Sequence, residues 1–169
     1  YSKDASWSEN GLKGCKKFLN RIWNLQEKLN EKEEYSSDLE NLIHKTIKKV
    51  TCDIETLNYN TAVSALMILL NAMDEKNEIT RKDYRSILHL LNPFAPHITE
   101  ELNEIYHLGP AFSSSEWPVY EEKKTIDDEL EIGVQVNGKL RGTILVAKDA
   151  SKDVLESLAL EEENVKRHI

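Results

Sequence analysis

The sequence predicts a mainly α protein: an antiparallel helical bundle followed by a small β-β-α unit, which reads as an incomplete α/β domain. Two observations lead there. As far as Tyr106, apolar residues recur at three- and four-residue spacing in successive stretches, the pattern of amphipathic helices with short connections. From Leu130 the period becomes two, across an Asn-Gly pair, before a last helical stretch. A chain of 169 residues suffices for one domain with a core plus a small second unit. The expected organisation is a bundle over 1–108, a linker packed on or near it over 109–128, and a hairpin with a helix over 129–169.

Each element has a local reason. Ser6-x-x-Glu9 offers a capping box for a first helix running to about Asn30. Its expected buried face is Leu12, Cys15, Phe18, Leu19, Ile22, Trp23, Leu25 and Leu29. A second helix spans about Ser37 to Leu57, with Leu39, Ile43, Ile47, Val50, Ile54 and Leu57 inward. "NYN" interrupts it, and Asn60 or Thr61 caps a third helix carrying Ala62, Leu66, Leu69, Leu70 and Met73. Thr80 and Asp83 form the box for a fourth helix with Tyr84, Ile87, Leu88 and Leu91 inward. "NPFAP" stops that helix, and a short one follows from Ile98 to Tyr106. The segment from Gly109 has Gly, Pro and Ser without helical period; Trp117 and Tyr120 are its expected anchors to the bundle. Asp149 or Ser151 opens the last helix, with Val154, Leu155, Leu158, Val165 and Ile169 along it.

Composition narrows the function classes. With 30 acidic and 22 basic residues the net charge is -8, which disfavours a whole-surface nucleic-acid binder but leaves room for a local basic patch. No apolar run has membrane-spanning length, and the first residues lack a signal-peptide pattern. The absence of an initiator Met suggests a piece of a longer protein. Cys15 and Cys52 stand far apart, which fits a reduced, cytoplasmic chain using cysteine as a small hydrophobe. Gly-x-Ser-x-Gly, P-loop, dinucleotide-turn and zinc-type patterns do not occur, so no catalytic residue is assigned. His97-x-x-Glu100 has metal-compatible spacing, yet "PHITEE" also reads as Thr99, Glu100 and Glu101 favouring the positive end of a helix; no metal site is assigned.

The hairpin "VQVNGKLRG" permits a finer inference. The apolar residues of both strands are even-numbered, so a two-residue loop would send them to opposite faces. A three-residue loop, Val136-Asn137-Gly138, pairs Gln135 with Lys139 and unites Ile132, Val134, Leu140 and Ile144. The other face then gathers Gln135, Lys139, Arg141 and Thr143, suited to phosphate. The plain alternative is a solvated hairpin face with gatekeeping charges. Basic stripes also lie on the first helix (Lys13, Lys17, Arg21, Lys28) and the second (Lys45, Lys48, Lys49), where solvated faces and phosphate contacts are both open readings.

In order, "WSENGLKGCKKFLNRIW", "HKTIKKVTCDIETLNYNTAVSALMILLNAM", "LLNPFAPHITEEL", "WP" and "VQVNGKLRG" resemble the C-terminal part of bacterial-type leucyl-tRNA synthetases. The bundle motifs are shared with valyl- and isoleucyl-type class I enzymes; the hairpin stretch points to leucine. Asn103 stands where that family usually has Trp after "TEEL", and the family's last domain continues past the final helix. The resemblance implies an anticodon-binding-type bundle that lies against tRNA(Leu) without reading the anticodon, and a C-terminal domain that meets the tRNA corner. It places Gln135, Asn137, Lys139 and Arg141 at the RNA, with Lys13, Lys17, Arg21, Lys45, Lys48 and Lys49 as candidate backbone contacts. It implies no cofactor for this chain, with ATP and Mg used by a catalytic domain elsewhere in the parent protein, whose His-x-Gly-His and Lys-Met-Ser-Lys-Ser signatures do not occur here. The implied partners are tRNA(Leu) and the catalytic and editing domains of the same polypeptide, with no membrane and no DNA. The rival readings are a valyl/isoleucyl-type anticodon-binding domain and a helical protein-interaction module without RNA binding.

Overall fold

In the computed structural model, the described residues are 8–126, 129–136, 138–147, 152–161 and 163–166. They form two compact units, divided between Thr125 and Ile126.

The first unit is the helical bundle. α1 (Glu9–Asn24) is capped by Ser8, whose hydroxyl accepts from Gly11 N at 3.3 Å. The expected box at Ser6 falls outside the described residues. The helix also ends earlier than its period predicts, tightening into a 3-10 turn over Leu25–Lys28. The following residues then run beside Ile79, with Asn30 N donating to Ile79 O and Ile79 N to Lys28 O, both at 2.9 Å. α2 (Glu40–Glu55) and α3 (Tyr59–Asp74) pack side by side. The residue flanking the start of α3 is Asn58, not Asn60 or Thr61. α4 (Arg81–Leu91) starts with the expected reciprocal box of Thr80 and Asp83. α5 (Pro96–Ile105) has proline in its first turn, where a missing N–H costs nothing.

Ile22, Leu25, Leu39, Ile43, Ile47, Val50, Leu66, Leu70, Met73, Ile87 and Leu102 make the core with the fully buried Tyr84. The Tyr84 hydroxyl donates to Ile22 O at 3.1 Å, and burial pushes its phenol well above the usual value. Three expected inward residues of α1 are exposed, Leu12, Cys15 and Trp23, while Phe18 and Ile22 are the residues of the helix that are buried. Leu57 is also exposed; it takes a left-handed φ of 59° just past α2, so its side chain leaves the helical stripe. Cys52 is exposed as well, so neither cysteine serves as a core hydrophobe.

Residues 109–125 form a strap over the bundle. Gly109 (φ 148°) lies against the Arg85 side chain, and a Cβ there would stand 2.7 Å from Arg85 Nη1. Arg85 donates to Asn103 Oδ1 at 2.7 Å, Pro110 O at 3.1 Å and Ser115 Oγ at 3.2 Å. Its guanidinium also lies 4.9 Å from the Phe112 ring centre. Glu100 accepts from Phe112 N at 3.0 Å and Ser113 N at 2.9 Å. Further along, Trp117 Nε1 donates to Thr51 Oγ1 at 2.8 Å, and Tyr120 packs on the core.

The second unit is an antiparallel hairpin, β1 (Glu129–Val136) and β2 (Lys139–Ala147), with α6 (Lys152–Glu161) and α7 (Glu163–Lys166). The predicted start of the last helix, at Asp149 or Ser151, and its end at Ile169 lie outside the described residues. Ile144, Val146 and Val165 are buried, whereas Val154 is exposed rather than inward.

Asp83 fastens the loop after α1 to α4. It is fully buried and accepts from Ser36 N (3.1 Å), Ser36 Oγ (2.5 Å) and Thr80 N (3.0 Å). Removing it strands those donors, so Asp83→Ala is expected to lower the unfolding free energy by roughly 2–4 kcal/mol. A urea titration reads this as a lower midpoint at constant slope; an unmoved midpoint contradicts the assignment.

Candidate nucleic-acid interface

The expected cationic residues divide into free and engaged sets. On α1, Lys13 and Lys17 are exposed, and among the described residues neither makes an ion pair. Lys16 shares their face at helical spacing and is equally exposed; the sequence reading passed it over although Lys13-x-x-Lys16-Lys17 is visible in the chain. Arg21, one turn further on, is committed: Nε donates to Asp74 Oδ2 and Nη2 to Asn71 Oδ1, both at 2.7 Å. Arg21 therefore joins α1 to α3.

The α2 stripe is engaged throughout. Lys48 pairs with Glu122 of the strap at 2.6 Å, a bond that raises the Lys48 pKa. Lys49 pairs with Asp53 one turn along at 2.5 Å. Lys45 is half-buried and has an interaction of its own. Such exposed pairs are worth little, but they leave the α2 lysines engaged where the α1 lysines make no ion pair among the described residues.

The hairpin departs from its expected register. Val136 pairs with Lys139, so the connection is the two-residue Asn137-Gly138 step, not the three-residue loop predicted from parity. Gly138 takes φ 73°, and Asn137 lies outside the described residues. Parity is restored inside β2. Gln135 pairs with Leu140 and Val134 with Gly142, leaving Arg141 as the extra residue of a bulge. From there Ile132 pairs with Ile144 and Leu130 with Val146, but Leu140, expected on that face, pairs with Gln135 instead. The predicted polar grouping is not formed: Lys139 stands opposite Val136, not Gln135. Gln135 and Lys139 are exposed. Arg141 is half-buried, and its Nε is buried without a hydrogen-bond partner among the described residues. A guanidinium held at a bulge with an unused donor suits an incoming oxygen acceptor.

His97 and Glu100 do not combine. His97 is exposed, Glu100 is occupied by the strap amides, and the first turn of α5 carries no acid to meet the helix dipole. Among the described residues, no group of three or more His, Cys, Asp and Glu side chains is placed to hold a metal ion. No helix is long and apolar enough to cross a membrane among those residues. His89 is buried between Phe112 and Trp117, at ring-centre distances of 4.7 and 5.7 Å, and burial lowers its pKa.

Residues 37–156 match the family described as the anticodon-binding domain of tRNA ligase, and the chain belongs to that family. It is similar to the leucine–tRNA ligase of Alkaliphilus oremlandii, at 47% identity over 153 residues, which are 90% of this chain and 19% of that protein. The chain thus spans about a fifth of the length of that curated relative. Its fold is shared with the crystal structure of a ternary complex of Agrobacterium radiobacter LeuRS with tRNA and LeuAMS. That match has a TM-score of 0.77 at 24% identity, and covers 99% of this chain and 24% of the other.

The division of cations has a direct test. Arg21→Ala is expected to lower stability by about 1 kcal/mol through the lost α1–α3 bonds, while Lys13→Ala and Lys17→Ala stay within about 0.5 kcal/mol of the parent. Thermal melts of the single variants distinguish them; equal losses at all three positions contradict the division.

Proposed function

We propose that this chain is the tRNA-binding portion of a leucine–tRNA ligase, positioning tRNA(Leu) while domains elsewhere in the polypeptide charge it with leucine at the expense of ATP. The observation that carries this reading is the 47% identity to a leucine–tRNA ligase across 90% of the chain. The likeness to a LeuRS solved with tRNA supports it at the level of the fold. So does the charge distribution, because Lys13, Lys16, Lys17 and Lys139 are exposed cations without ion pairs among the described residues of an acidic chain.

In this reading the work is positioning. Lysines on one helical face meet phosphates of a stem, and contacts of that kind fix register without reading sequence. Gln135, Asn137, Lys139 and Arg141 meet a folded RNA region recognised by shape and 2′-hydroxyls. Lys45, Lys48 and Lys49 contribute after giving up their present partners, and Arg21 contributes to packing. ATP and Mg belong to the catalytic domain, editing belongs to a further domain, and the setting is the cytoplasm.

Lys139→Ala combined with Arg141→Ala in the full-length protein is expected to raise KM for tRNA(Leu) about tenfold. Leucine activation, measured by isotope exchange without tRNA, is expected to stay unchanged. An unaltered KM for tRNA removes the hairpin from the interface.

A further inference from the structure

His44 is a buried histidine, 3% exposed, set on α2 beneath the strap. Its Nδ1 accepts the backbone N–H of Glu121 at 3.0 Å. An imidazole nitrogen that accepts carries no proton, so the ring is neutral with its hydrogen on Nε2. Nε2 is buried without a hydrogen-bond partner among the described residues, and the ring meets Tyr35 edge-on, 5.6 Å between centres. A second ring proton would therefore enter at Nδ1, directly against the Glu121 N–H. No rotation of the ring can repair that clash, since both nitrogens of a charged imidazole are donors.

The strap is held on either side of this bond. Trp117 is tied to Thr51, and Asn41 Nδ2 donates to Lys124 O at 2.9 Å. Two residues beyond Lys124, at Ile126, the second unit begins. We infer that His44 is a latch: in its neutral form it holds the strap on the bundle at Glu121, and protonation at Nδ1 releases that hold.

Charged groups face the ring from every side of the site. Glu40 on α2 and Glu121 on the strap favour a charged ring; Lys124 on the strap and Lys82 on α4 oppose it. Lys124 bonds to both acids, at 2.8 Å to Glu40 and 2.9 Å to Glu121, which blunts their pull. Burial is the largest influence and keeps the ring neutral below its ordinary value of 6.5. The sign follows: strap opening takes up a proton, so the latch is intact above that pH and weakens as pH falls beneath it. His89 also lies under the strap beside Arg85, so acid alone does not isolate His44. A variant that accepts without titrating does.

The test is residue-resolved amide exchange on the whole chain, expressed as protection factors across pH 5 to 8. In the parent, protection of the Glu121 amide is expected to be level above the ordinary imidazole value and to fall about tenfold per pH unit below it. His44→Asn offers an acceptor near the place of Nδ1, and its Glu121 protection is expected to hold level throughout. His44→Leu is expected to lose that protection at every pH while the amides of α3 keep theirs. Undiminished Glu121 protection in His44→Leu, or an acid-dependent fall in His44→Asn equal to the parent's, overturns the proposal. Should His44→Leu fail to fold, the parent against His44→Asn decides. The inference concerns the chain's own packing, so its outcome is independent of whether tRNA is the ligand.

Discussion

The Arg85 guanidinium is half-buried with no carboxylate bonded to it, and the chain from α5 to the strap is folded around that condition. A buried cation must be satisfied by well-placed acceptors or it leaves the interior. Here they are neutral: the Asn103 side chain, the Pro110 carbonyl and the Ser115 hydroxyl. Desolvation lowers the Arg85 pKa, with the nearby Glu100 charge opposing it. Asn103, 3% exposed, is the pivot, since it also donates to the carbonyls of Gly109 (3.3 Å) and Pro110 (3.1 Å). That explains how a small amide serves where the family resemblance leads one to expect a large indole. The position has become a polar joint, and the left-handed Gly109 beside Arg85 closes it.

An acid-rich chain tends to neutralise its own cations, and the structure shows where that happens. Arg21 is spent on α1–α3 packing, Lys48 on the strap and Lys49 on its own helix. Arg81 donates to the carbonyls of Tyr106 and His107 at the end of α5 and pairs with Glu33 at 2.6 Å. The cations with no such duty concentrate on the exposed first half of α1 and on the hairpin. Net charge is therefore a poor guide to this molecule's partners, and the local field is the better one.

Much of the fold was legible because its causes are local. The Thr80–Asp83 box and the inward stripe of α2 need only neighbours a turn away. Less legible was how far a stripe is covered: the period of α1 includes Leu12, Cys15 and Trp23, but the helix buries Phe18 and Ile22 and leaves those three exposed. The hairpin shows the same limit differently. Parity requires one extra residue somewhere between the strands, and cannot say whether it sits in the turn or at Arg141, next to Gly142. Pairs across the fold, such as Lys48 with Glu122 or Arg21 with Asp74, leave no trace in spacing. Lys49–Asp53 does, at four residues apart.

On the proposed function, this chain holds RNA through a few cations that make no ion pair among the described residues, rather than through a broad basic surface. Equilibrium binding of tRNA(Leu) to the chain as a function of salt tests it most directly. The account predicts that log affinity falls linearly with log salt, with a slope near -2 to -4, set by a handful of phosphate contacts at roughly 0.7–0.9 each. Binding that is indifferent to salt would contradict it.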